Sequence, residues 1–149
     1  MTIERIGSTE IEYIQGNVYD AKTLGADGLI VFYYGLSAIR VTASKHSKDD
    51  VFNASFKCAR YIDTDMIQVN DIQDMRTVLE YVFRLLMVCK CHTIVMNGIR
   101  VHNLPDIHNR PEKYQIQFIK EWLSSNPDVF EKVMLVDRRD GFNHANDRI

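Results

Sequence analysis

His102, Asp106 and His108 stand close together in the 149-residue chain. Imidazoles beside a carboxylate are the groups that hold a metal ion or pass a proton in acid–base catalysis. No further strong ligand accompanies them, so solvated loop residues are the favoured reading and an enzyme using them as acid and base the least favoured. Asp63 and Asp65 form a D-x-D pair of the kind that can hold a divalent cation, again without a companion motif. Arg100 and the Arg138-Arg139 pair offer planar guanidinium forks suited to phosphate. The competing reading pairs the two arginines with Asp137 and Asp140. Tyr33 and Tyr34 could stack on a base, or simply edge a pocket mouth, while Trp122 beside an apolar helix stripe reads as packing. Signatures for serine hydrolases, Walker-type NTPases, zinc proteases and dinucleotide-binding dehydrogenases are absent from the chain.

These residues need a scaffold, and the composition supplies one. Hydrophobic residues make up 46% and charged residues 26% of the sequence, which supports a folded core in one domain over 1–149. The formal net charge is -2, so a broad electrostatic footprint for nucleic acid is not indicated. Cys58, Cys89 and Cys91 are an odd set, with C-x-C in place of C-x-x-C. Free thiols in a reducing compartment, hence a cytoplasmic location, are the expectation. The first residues lack the pattern of a secretory signal, and no apolar run is long enough for a membrane span. No cofactor or metal is implied.

Hydrophobic periodicity places the elements. Ile11–Gln15 alternates as a half-buried strand, and Gly28–Tyr34 is an apolar, β-branched and aromatic run expected to be covered on both faces. Ala38–Thr42 reads as a strand, Ser44–Asp50 as a loop, Val51–Ile62 as a short helix and Met66–Val69 as a short strand. Asn70, with Gln73 as its capping-box partner, is expected to open a long helix ending near Lys90. Thr93–Met96 is a buried strand. Asn109 is the expected cap of a second helix with Pro111 in its first turn, running to Ser125. Lys132–Asp137 is the last strand, followed by a polar tail.

Helix, strand, helix, strand in the second half implies right-handed crossovers and an α/β fold: a mostly parallel or mixed central sheet with helices on both faces. Ligands in such sheets bind beyond the carboxyl ends of the strands. Those ends lead into Gly35-Leu36-Ser37, Asn97-Gly98-Ile99-Arg100 and Asp137-Arg138-Arg139-Asp140.

The segments Ile11–Gln15, Gly16-Asn17-Val18 and Ala26-Asp27-Gly28-Leu29-Ile30-Val31 together resemble the opening of a macrodomain, the ADP-ribose-binding family. The later helices and strands follow that family's order, and Asn126-Pro127-Asp128 resembles its link into the final strand. The resemblance implies a three-layer sandwich and a cleft for ADP-ribose or a related nucleotide, with Asn17, Tyr34, Gly35, Gly98, Arg100 and His102 as its binding residues. It also locates departures. Asn17 stands where the family has an adenine-contacting aspartate, and Phe32-Tyr33-Tyr34-Gly35 replaces its asparagine-bearing segment. Arg100-Val101-His102 replaces a Gly-x-Gly phosphate loop. These departures point to a binding module without hydrolase activity. The alternative is a protein-interaction or structural domain, in complex with a partner or a second copy, that kept the fold and lost the pocket.

Overall fold

Three apolar segments and one alternating segment pair side by side to form the centre of a single sheet. The structure, a computed structural model, describes residues 2–20, 24–34, 39–45, 60–63, 71–88, 90–101, 104 and 110–146. In chain order the strands are β1 (Thr2–Ile6), β2 (Thr9–Gln15), β3 (Gly28–Tyr34), β4 (Ile39–Lys45), β5 (Arg60–Asp63), β6 (Thr93–Met96) and β7 (Lys132–Asp137). The sheet order is β1-β2-β7-β6-β3-β4-β5. The inner four, β2, β7, β6 and β3, are mutually parallel. The outer strands join antiparallel on either side. The α/β class with a mixed sheet, as read from the sequence, is the architecture observed.

Parallel neighbours need crossovers, and two helices provide them. Helix α1 (Ile72–Val88) precedes β6, and α2 (Pro111–Ser125) links β6 to β7. Met75, Val78, Leu79, Val82, Phe83 and Leu86 recur at helical spacing and are all buried. Their stripe joins Ile116, Ile119 and Leu123 of α2 over Ile11, Tyr13, Ile30, Phe32, Ile94, Met96, Val133 and Leu135 of the sheet. Trp122 stacks on Phe83 with ring centroids 4.8 Å apart, so it is a packing residue as expected. The opposite sheet face presents Leu29, Val31, Val95, Met134 and Val136, covered by Val18 of a 3-10 helix (Val18–Asp20) and by Ala26. No described helix is long and apolar enough to cross a membrane.

Several expectations are corrected at element ends. Arg60–Ile62, read as the end of a helix, is strand, because β4 supplies backbone partners through Ala43↔Ile62 and Ser44↔Tyr61. Ser44 and Lys45 continue β4 and are not loop. The cap of α1 is Asp71, whose carboxylate accepts the Asp74 N–H at 2.9 Å. At α2 the N-cap is Arg110, in extended conformation with Pro111 following, and it makes no side-chain cap. The polar tail contains a third helix, α3 (Gly141–Asn146), which buries Phe142 and Ala145 against the helix-side core. Thr2–Ile6, given no element from sequence, pairs with β2 through a two-residue turn in which Gly7 has φ +59°. Asn70, Asn109, Cys58, Cys89 and the expected elements at 51–59 and 66–69 lie outside the described residues.

Candidate functional site

The carboxyl ends of the parallel strands carry their connections to one side of the sheet, where a cleft of about 660 Å³ opens. Its walls are Gly16-Asn17-Val18 after β2, Asn97-Gly98-Ile99-Arg100 after β6, Asp137-Arg138-Arg139 after β7, and Arg110-Pro111-Glu112 at the start of α2. Two of the three loops singled out from sequence therefore meet. The third, Gly35-Leu36-Ser37, lies outside the described residues.

Of the individual residues expected there, Asn17, Gly98 and Arg100 line the cleft together. Tyr34 is the last residue of β3, and its side chain, like Gly35 and His102, lies outside the described residues, as do Asp65, Asp106 and His108. Sequence reasoning placed Asn97 in a ligand-facing loop but missed Phe32, Arg110 and Glu112 as lining residues, and Gln115 behind them. The signal for Gln115 was present. It holds an apolar-stripe position on α2, three to four residues from Phe118 and Ile119, where a polar side chain must find buried partners.

The cleft wall is built by side-chain amides that stand in for backbone. Asn97 lies one residue beyond the end of β6. Its Oδ1 accepts the Phe32 N–H at 2.8 Å, and its Nδ2 donates to the Phe32 carbonyl at 3.1 Å. The amide thus prolongs the β3–β6 ladder past Ile30↔Met96. Gln115 accepts the Ile99 N–H at 2.8 Å and donates to the Asn97 carbonyl at 3.0 Å. At β7, the Asp137 carbonyl accepts the Gly16 N–H and its Oδ2 accepts the Gly141 N–H, both at 3.0 Å.

Gly141 lets α3 approach this wall. A Cβ there would lie 2.5 Å from Asp137 Oδ2 and 2.8 Å from Glu112 Oε1. The two carboxylates therefore face the same small space. Glu112 Oε2 is buried without a hydrogen-bond partner among the described residues.

Floor and rim differ in character. Val18, Phe32, Ile99 and Val136 are buried and form an apolar floor. Arg100, Arg138 and Arg139 are exposed at the rim, and Arg110 is half-buried. Asp137 and Asp140 do not pair with the Arg138 or Arg139 guanidinium groups; Asp137 accepts backbone N–H groups and Asp140 accepts Asn143 Nδ2 at 2.6 Å. Four arginines against two carboxylates make the lining net positive on a chain that is net negative. The amino end of α2 adds partial positive charge of the same sign. An anion with a flat apolar portion fits that division.

Two other concavities among the described residues fit a ligand less well. The groove between α1 and α2 measures about 260 Å³, and one ion pair already bridges it. Arg76 pairs with Glu121 at 2.6 Å and lies 4.1 Å above the Phe118 ring. Bonds from Arg76 and then Gln117 hold the Glu121 carboxyl below the usual carboxylate range. A hollow of about 770 Å³ is lined, among the described residues, by α2. Among the described residues no cluster of three or more His, Cys, Asp or Glu is placed to hold a metal. Comparison with known protein families, curated proteins and solved structures returns no match.

Proposed function

We propose that the chain is a divergent macrodomain-like binding module whose cleft takes ADP-ribose or a related nucleotide, without hydrolase activity. One observation carries this reading: an arginine rim over an apolar floor, set beyond the carboxyl ends of four parallel strands. The floor suits a base or sugar face, and the rim suits a diphosphate. The volume lies in the range of small-molecule sites, roughly 300–1,000 Å³. Asn17, which the family resemblance sets against adenine, lines the same hollow. The missing asparagine segment after β3 is the ground for expecting binding without turnover.

Calorimetric titration with ADP-ribose, NAD and AMP tests the reading. Saturable binding that weakens with added salt is the expected result, since rim charges contribute to it. No heat and no thermal shift at millimolar ligand would overturn it and leave the protein-interaction reading, which light scattering and a pull-down from the native source would then examine. Release of ADP-ribose from a modified protein would overturn the non-hydrolytic half alone.

A further inference from the structure

We infer that Gln115 is a positioning residue that locks two walls of the nucleotide cleft into one rigid piece, so that Arg100 and Arg110 present a fixed spacing to the ligand's phosphates. The inference rests on the nucleotide reading for its ligand, but the lock itself is a property of the free protein. Gln115 is 0% exposed. Its acceptor takes the Ile99 N–H, and its donor group reaches the Asn97 carbonyl and, at 3.6 Å, Met96 Sδ. Ile99 adjoins Arg100 in the β6 loop, while Arg110 lies five residues before Gln115, just ahead of the first turn of α2. Asn97 carries the same linkage on to β3 through both of its bonds to Phe32. The buried amide of Gln115 therefore ties α2 to the β6 loop, and the half-buried amide of Asn97 ties that loop to β3. An aliphatic side chain at 115 would keep the packing and cut the first tie.

A lock of this kind acts on affinity through pre-organisation, because a wall that must be ordered on binding costs conformational freedom. Stability alone would not distinguish it, since any buried amide supports the fold. The comparison variant is Thr9→Val. Thr9 is buried and donates to the Phe130 carbonyl at 2.5 Å, at the opposite end of the strands.

The test combines ADP-ribose titration with amide hydrogen exchange at Ile99 in the ligand-free protein, on wild type, Gln115→Met and Thr9→Val. Gln115→Met is expected to raise the ADP-ribose Kd at least tenfold and to speed Ile99 exchange at least tenfold. Thr9→Val is expected to lower the melting temperature while leaving both unchanged. A Kd for Gln115→Met within twofold of wild type, or an equal loss in Thr9→Val, would overturn the proposal. Should Gln115→Met fail to fold, Gln115→Leu carries the same readouts, since it also fills the site and removes both bonds. Should wild type bind no nucleotide, the ligand reading fails by itself. Ile99 exchange then decides the lock: unchanged in Gln115→Met, it sinks the lock as well.

Discussion

The two ends of the parallel strands are built on opposite plans. At the amino ends backbone groups are satisfied by neighbouring strands and by the Asp27 carboxylate. The Asp27 carboxylate accepts the His92 and Thr93 N–H groups at 3.0 and 2.9 Å, and the Asp27 N–H donates to the Thr93 carbonyl at 3.0 Å. Glu131 N–H donates to the His92 carbonyl, and Glu10 N–H to the Glu131 carbonyl, so β3, β6, β7 and β2 are laced together in turn. Ser8 donates to the Asp128 carboxylate just beyond them. At the carboxyl ends, by contrast, Arg138 and Arg139 project without a carboxylate partner, and Glu112 Oε2 is buried without a donor, all among the described residues. The buried carboxylate oxygen costs stability, whereas the exposed arginines are solvated. The amino ends are thus tied together strand to strand, while the carboxyl ends carry the cleft.

The sharpest way to break this contrast is Asp27→Ala. It removes a carboxylate that accepts from two backbone N–H groups and joins the α1–β6 connection to β3. A loss of about 2–3 kcal/mol is expected, from the worth of hydrogen bonds to a charged acceptor. Denaturant unfolding measures it, and nucleotide affinity of the folded fraction should not move. A loss below about 0.5 kcal/mol, the range of ordinary surface changes, would mean that the Asp27 carboxylate is not what ties the amino ends together.

Next in its effect on stability is Gly141→Ala, which probes how tightly the cleft end is drawn together. The added methyl meets the Asp137 carboxylate at 2.5 Å, and Glu112 closes the other side at 2.8 Å. Both clashing atoms are side-chain ends that can swing aside, so the cost falls at the low end of overpacking, about 1 kcal/mol. Both carboxylates line the cleft, so the displaced groups should also shift affinity. A variant as stable as wild type would show that the two carboxylates swing aside without cost.

Arg138→Ser with Arg139→Ser then separates function from stability. Both side chains are exposed at the rim. Stability should stay within about 0.5 kcal/mol of wild type. ADP-ribose affinity should fall about tenfold, equivalent to about 1.4 kcal/mol. Unaltered affinity beside an unaltered melting curve would remove the arginines from the site and return them to plain surface charge.

The contrast between the ends also explains what could be read from residue order. Gly28–Tyr34, Thr93–Met96 and Lys132–Asp137 were legible with their observed bounds, because strands covered on both faces must be apolar throughout. The convergence of the β6 and β7 loops followed from parallel pairing. Strand β1 was not legible, because its pattern is inverted: Ile3 is 55% exposed, while Glu4 turns toward α2 and pairs with Lys120 at 2.5 Å. Helix α3 is six residues long, too short to show a period, and only Phe142 and Ala145 betray its buried side. Arg60–Asp63 depends on partners contributed by β4, which no local window contains. Asn97 and Gln115 act through bonds to backbone distant in sequence, and their role becomes visible only once β3, β6 and α2 are assembled.

The smallest effect expected concerns a polar group away from both ends, and it has a definite direction in pH. Tyr13 is buried under α2, with its hydroxyl donating to Glu4 Oε1 at 3.3 Å. Burial first, and the Glu4 charge second, push its phenol well above the ordinary value of about 10. Ionisation of Tyr13 is therefore easier in the unfolded chain than in the folded one. Its contribution to stability is fully present below about pH 10 and drains away as pH climbs toward the folded-state value. Tyr13→Phe should cost under about 1 kcal/mol at neutral pH, the usual net worth of one hydrogen bond. It should also flatten the alkaline limb of the stability profile relative to wild type. Denaturant melts at stepped alkaline pH, with tyrosinate absorbance followed in parallel, give the comparison. Parallel alkaline limbs in the two proteins would mean that the hydroxyl titrates as if exposed, and that the Glu4–Lys120 pair above it does not seal this part of the core.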